Sequence, residues 1–108
     1  AAIQLLVAID PAGHLIGVRV TGHRETPGLG DAIEERRSAW IHVFDGRALG
    51  DPAIERWRVR KDGGDFDQLT GATVTPRAIV GAVRNALVYF ERHRDELLSV
   101  DAARDGTP

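Results

Sequence analysis

The chain begins with Ile3-Gln4-Leu5-Leu6-Val7-Ala8-Ile9, an apolar run rich in branched side chains that stops at Asp10-Pro11-Ala12-Gly13. Pro presets φ and Gly tolerates positive φ, so this pattern predicts a strand ending in a turn. From His14 apolar and polar positions alternate, setting Ile16, Val18 and Val20 on one side and Leu15, Arg19 and Thr21 on the other. A period of two predicts a second strand, and the pair an antiparallel hairpin with one half-wet face. A loop follows from Gly22 to Gly30. Asp31 then stands where it would cap a short helix reaching Arg37, with Glu34 three residues on in a capping-box-like pattern. Trp40, Ile41, Val43 and Phe44 predict a core segment closed by the turn Asp45-Gly46. Trp57-Arg58-Val59-Arg60 alternates again and predicts another strand, ended by Asp62-Gly63-Gly64.

The clearest periodicity comes last. Thr75 is a good N-cap residue and Pro76 suits the first helical position. Ile79, Val80, Val83, Ala86, Leu87 and Phe90 recur at helical spacing, with Arg77, Arg84 and Glu91 on the opposite side. This predicts a long helix packed on the sheet and running on through Leu97-Leu98. Residues 101–108 read as a flexible tail, which leaves 1–100 as one domain.

Composition narrows the class. Apolar and charged fractions of 43% and 28% over 108 residues fit one globular domain. A net charge of -2 with scattered arginines argues against nucleic-acid binding. The absence of cysteine removes thiolate catalysis, disulfides and cysteine-ligated clusters. His14, His23, His42 and His93 show no metal-ligand spacing, and no nucleophile–base constellation suggests a catalytic residue. No apolar stretch approaches the roughly 20 residues that span a bilayer. The missing Met and the apolar opening lead us to expect a fragment whose membrane anchor lies outside it.

Candidate chemistry concentrates in Asp67-Gln68-Leu69-Thr70-Gly71-Ala72-Thr73-Val74-Thr75-Pro76, a small-residue turn feeding a helix start. The first N–H groups of a helix lack internal partners and its dipole favours negative charge, so a phosphate would be well placed here. Gly71 and Ala72 allow close approach to the backbone, and Thr73 offers a hydroxyl in the same turn. The same features also describe an ordinary capped helix after a glycine turn. On the physical pattern alone both readings stand.

A resemblance separates them. Asp67, Thr70, Gly71, Ala72 and Thr73 are similar to the pattern that flavin transferases recognise in FMN-binding domains: Asp, two variable residues, Ser or Thr, Gly, Ala, Thr. His23-Arg24-Glu25-Thr26-Pro27-Gly28-Leu29-Gly30 resembles the other signature loop of that family. The spacing of the loops, the intervening Trp40 and Phe44, and the helix after Thr75 are similar too, so the resemblance covers Ala1 to Phe90. Within the family it points to the G subunits of Rnf (Rsx) electron transport complexes. Two departures are visible: family members usually carry an N-terminal transmembrane helix and more sequence before the hairpin, and Pro76 stands where many have Ser.

The resemblance implies an α+β fold, a small antiparallel sheet with a long C-terminal helix on one face. It implies FMN joined to Thr73 as a phosphoester, with Asp67 serving transferase recognition or loop preorganisation. Thr70, Gly71 and Ala72 would surround phosphate and ribityl groups with Val74 beside them, and Glu25, Thr26, Leu29 and Gly30 would line the ring. Lys61, the only lysine, is a candidate phosphate partner and equally a solvated surface residue. Trp40 and Trp57 fit core packing better than stacking on a flavin.

Functionally, the resemblance implies an electron carrier rather than a self-sufficient enzyme. It would be matured by a separate flavin transferase, anchored to the inner membrane on the periplasmic side, and in contact with other subunits of its complex. Two alternatives remain at this stage: the equivalent FMN subunit of a sodium-pumping NADH:quinone reductase or a flavin-binding sensor, and a non-redox binding or assembly module.

Overall fold

The computed structural model describes the backbone of residues 3–25, 27–69 and 72–105, and side chains through residue 99. Strands β1 (Gln4–Ile9) and β2 (Leu15–Gly22) pair antiparallel, with Val7 opposite Val18 and Leu5 opposite Val20. The connecting turn is held by Asp10, whose Oδ1 accepts from the Ala12 and His14 amides at 3.0 and 2.9 Å. Gly13 takes the positive φ of 92° that closes the turn.

The strict alternation expected of β2 does not hold. Ile9 pairs with Leu15 and Ala8 with Gly17, so Ile16 is the extra residue of a β-bulge. The bulge shifts the phase: Leu15 and Val18 both enter the core, while Ile16 stands 66% exposed. Leu15 therefore joins the buried face and Ile16 leaves it.

Between sheet and helix the chain travels in short 3-10 turns. Gly30–Ile33 replaces the longer helix expected from Asp31. It stops because Glu34 turns extended, at φ -75° and ψ 136°. Asp31 lies inside the turn rather than at its cap, and is buried. Its Oδ1 accepts from the Gly28 amide at 2.9 Å. Trp40–Phe44 forms another 3-10 turn and delivers Trp40, Ile41 and Phe44 to the core as expected. Residues 57–60 alternate in burial as predicted but form no strand. Val59 makes one isolated bridge with Phe66, and its carbonyl turns back to accept from the Asp62 and Gly64 amides at 2.9 and 3.0 Å. With its hydrogen bonds spent locally, the segment has no ladder to join.

Helix α1 (Val74–Arg92) buries Ile79, Val80, Val83, Leu87 and Phe90, the stripe expected from periodicity. It starts earlier than predicted, so Thr73 rather than Thr75 is its N-cap and Pro76 falls in its first turn. That position costs nothing, since the first amides of a helix have no internal acceptor. After an irregular His93, α2 (Arg94–Asp105) carries the chain past Leu97 and Leu98 and through residues 101–105 as helix.

The core joins Leu15 and Val18 of β2 to the α1 stripe through an aromatic centre. Phe44 stacks on Trp57 at 6.3 Å, and Phe66 packs 4.6 Å from Trp57 and 5.3 Å from Phe44. Both tryptophans belong to this core, and the Trp57 indole N–H is satisfied by the Ala48 carbonyl at 3.1 Å. A two-stranded antiparallel sheet with a C-terminal helix bears out the α+β class.

Candidate functional site

The two loops singled out by sequence meet in space. On one side lies Glu25, half-buried; on the other Thr75, buried in the first turn of α1. The Thr75 hydroxyl donates to Glu25 Oε1, tying the 23–30 loop to the helix start. Gly30 packs beneath Glu25 so closely that a Cβ there would stand 2.7 Å from Oε1. The Glu25 amide donates to His23 Nδ1 at 3.0 Å, which leaves the ring proton on Nε2, facing Glu34 at 3.4 Å. Burial pushes the Glu34 carboxyl up, but His23, Arg36 and Arg37 outweigh it and hold the group below its usual range.

The segment that leads from Asp67 into α1 is anchored from the core. Trp40 Nε1–H donates to the Asp67 carbonyl at 2.7 Å, fixing the point where the loop leaves the aromatic cluster. The Asp67 side chain is exposed and pairs with Arg60 Nε. Leu69 and Ala72 close the loop through an amide–carbonyl bond of 3.2 Å. Thr73 follows, half-buried, with its backbone carbonyl accepting from the Arg77 amide at 3.1 Å. The Thr73 side chain makes no capping hydrogen bond. The ordinary helix-cap role is therefore not what its hydroxyl does.

Of the other candidates, Leu29 in the 23–30 loop and Val74 at the helix start present apolar side chains at 49% and 74% exposure. Lys61 is exposed on the turn Arg60–Asp62, and its charge helps lower the Asp62 carboxyl. Thr26, Thr70 and Gly71 lie outside the described residues. Sequence reasoning did not single out Gln68, Arg60 or the Trp40 tie. The Gln68 Oε1 atom is enclosed and has no hydrogen-bond partner among the described residues. A buried acceptor without a donor is costly. Among the described residues, that acceptor, a Thr73 hydroxyl free of capping and the donor amides of the helix start together fit a group that carries both a phosphate to accept from the helix and a hydroxyl or N–H to donate to Gln68.

Fold and site define a class: a small α+β domain whose helix-start threonine, among the described residues, does not spend its hydroxyl on capping. The profile of the FMN-binding domain family matches residues 1–88, and the chain belongs to that family. It is 60% identical over 102 residues to the G subunit of the ion-translocating oxidoreductase complex of Pseudomonas aeruginosa (strain UCBPP-PA14), covering 94% of this chain and 48% of that protein. The protein of the same name from Vibrio vulnificus (strain YJ016) is 51% identical over 98 residues, covering 91% and 46%. That from Cereibacter sphaeroides (strain ATCC 17029 / ATH 2.4.9) is 53% identical over 98 residues, covering 91% and 45%. The chain spans about half the length of the curated relatives it matches. These likenesses bear out the resemblance drawn from the two loops. Among the described residues, no helix is long and apolar enough to cross a membrane.

Proposed function

We propose that this domain holds FMN covalently, as a phosphoester on the Thr73 hydroxyl, and serves as an electron relay in an Rnf-type ion-translocating oxidoreductase complex. The observation that carries the reading is the Thr73 side chain itself, which sits at the start of a 19-residue helix and leaves capping undone. FMN supplies one- and two-electron redox chemistry when bound. The residues of the chain do the holding. Thr73 Oγ1 forms the ester link, and the unpaired first amides of α1 face the phosphate. Ala72, Thr70 and Gly71 let the group approach the backbone. Glu25, kept in place by Thr75 and by Gly30 beneath it, orders the loop that borders the ring with Thr26, Leu29 and Gly30, and Val74 adds an apolar wall. Gln68 Oε1 is an acceptor for a donor on the cofactor. Lys61 adds positive charge nearby in sequence.

Asp67, exposed and paired with Arg60, is presented for recognition by a flavin transferase acting from outside. The name the relatives share, that of the G subunit of an ion-translocating oxidoreductase complex, supports the Rnf-type assembly with its other subunits as partners. We place the domain on the periplasmic side of the inner membrane, as the resemblance of its two loops implies. The test is intact mass after co-expression with a flavin transferase, beside a Thr73→Ala control. A gain equal to FMN less one water in the native sequence alone is expected. An equal gain in both, or none in either, with the protein folded, would remove Thr73 from the proposal.

A further inference from the structure

A second surface lies along α1, away from the Glu25–Thr75 tie. Helix residues Arg77, Gly81 and Arg84 face Arg58 and Asp62 across a groove of about 460 Å³, floored by the buried Trp57 and Val80. Three guanidinium groups and one carboxylate line it, on a chain whose net charge is -2. Asp62 is engaged by Arg77 through two bonds of 2.6 and 3.0 Å. Among the described residues neither Arg58 nor Arg84 is in an ion pair. The groove is therefore locally positive against the sign of the whole.

Gly81 gives the second, independent observation. Glycine in a helix interior is less stable than alanine, and it leaves room for another backbone to come close. A Cβ at Gly81 would meet nothing within 4 Å, so no packing inside the described chain requires its absence. The small residue leaves the floor of a basic groove open.

We propose that this groove docks a carboxylate-bearing segment of another protein chain, an Asp/Glu-containing loop of a neighbouring subunit, with Arg58 and Arg84 pairing its acids and Gly81 admitting its backbone. Planar guanidinium groups suit bidentate carboxylate recognition. The concave form suits a peptide loop and does not match a flat bilayer surface. The inference rests on membership of the complex proposed above.

The experiment uses the full chain, tagged and co-expressed with the other complex subunits and a flavin transferase, and reads subunit retention on affinity purification across a salt series. For Arg58→Glu/Arg84→Glu, retention is expected to fall about ten-fold, because like charges then face each other. FMN content of the separately purified full chain should stay as in the native protein, while its Tm should fall slightly because the Arg58 charge also favours the Asp62 carboxylate. Gly81→Ala should raise Tm by a few degrees while lowering retention, a combination that a merely structural glycine would not give. Arg58→Lys/Arg84→Lys should restore part of the retention by keeping the charge.

Unchanged retention in the double reversal, with FMN content intact, overturns the inference. So does loss of FMN from the lone double-reversal chain, which would mean that the groove serves the flavin site instead. Inorganic phosphate that raises the native Tm but not that of the double reversal would make it a small-anion site instead. If the native chain is not retained at all, the complex reading falls first and takes the inference with it.

Discussion

The hydroxyl of Thr75 donates to the carboxylate of Glu25 across a separation of 50 residues, and this bond joins the two loops of the candidate site. Thr75 is 9% exposed, so the bond sits where water competes poorly. Thr75→Val keeps the shape and removes the donor, leaving a half-buried carboxylate without it. A loss of about 1–3 kcal/mol in unfolding free energy is expected, the usual cost of an orphaned polar group. FMN incorporation should fall with it, since the 23–30 loop loses its tether. Urea denaturation and intact mass on one preparation check both, and native-like values for both would show that the tie does not organise the site.

Gly30 acts on the same carboxylate from below. A Cβ at position 30 would lie 2.7 Å from Glu25 Oε1 and 3.0 Å from its Cβ, so Gly30→Ala must push Glu25 off its place. Overpacking of this kind costs about 1–3 kcal/mol. Because Gly30→Ala and Thr75→Val disturb one group, their combination should cost clearly less than the sum of the two. A double-mutant cycle in urea measures this. Strict additivity would mean that the two residues act separately.

Trp40 tests the anchor on the other loop. Its indole N–H donates to the Asp67 carbonyl at 2.7 Å, while its ring meets Phe44 edge-on at 5.6 Å and 87°. Trp40→Phe retains an aromatic ring in the core and deletes the bond. The freed carbonyl should cost about 1–3 kcal/mol, and the flavin attachment proposed at Thr73 should slow because the loop no longer leaves the core at a fixed point. A time course of intact mass during transferase treatment separates the two effects. Attachment at the native rate in a destabilised protein would limit Trp40 to packing.

What the sequence revealed follows from where each signal resides. The α1 stripe from Ile79 to Phe90 was legible because helical periodicity is local to one segment. Ile16 was misplaced because a bulge depends on the partner strand, and alternation inside β2 cannot show which residue is extra. Residues 57–60 alternate for a real reason, burial of Trp57 and Val59, yet burial alone does not supply a neighbouring strand. Thr75 looked like a cap because cap preference is a property of one residue, whereas its actual partner, Glu25, is set by the tertiary fold. The two loops of the site were legible through resemblance. The Trp40–Asp67 bond was not, since it spans 27 residues and involves a backbone acceptor that any side chain would leave in place.

The pair Asp62–Arg77 predicts how the domain responds to acid. Hydrogen bonds from Arg77 hold the Asp62 carboxyl below its ordinary 3.8, against burial, which pushes it up, and with help from the charges of Arg77, Arg58 and Lys61. The same bonds raise Arg77, which stays charged throughout. A carboxyl with a lowered folded pKa binds its proton less readily in the native state than in the unfolded chain. Its stabilising contribution is therefore complete above 3.8 and disappears as pH falls through the lower, folded value. Asp62→Asn should consequently unfold at lower urea than the native protein at neutral pH, with the gap closing as the solution is acidified below 3.8. The side chains are 32% and 46% exposed, so added salt should narrow the gap at neutral pH as well. Urea midpoints of both proteins along one pH series decide the matter. A gap that stays constant into acid would mean that Asp62 contributes through its shape and hydrogen bonding rather than its charge.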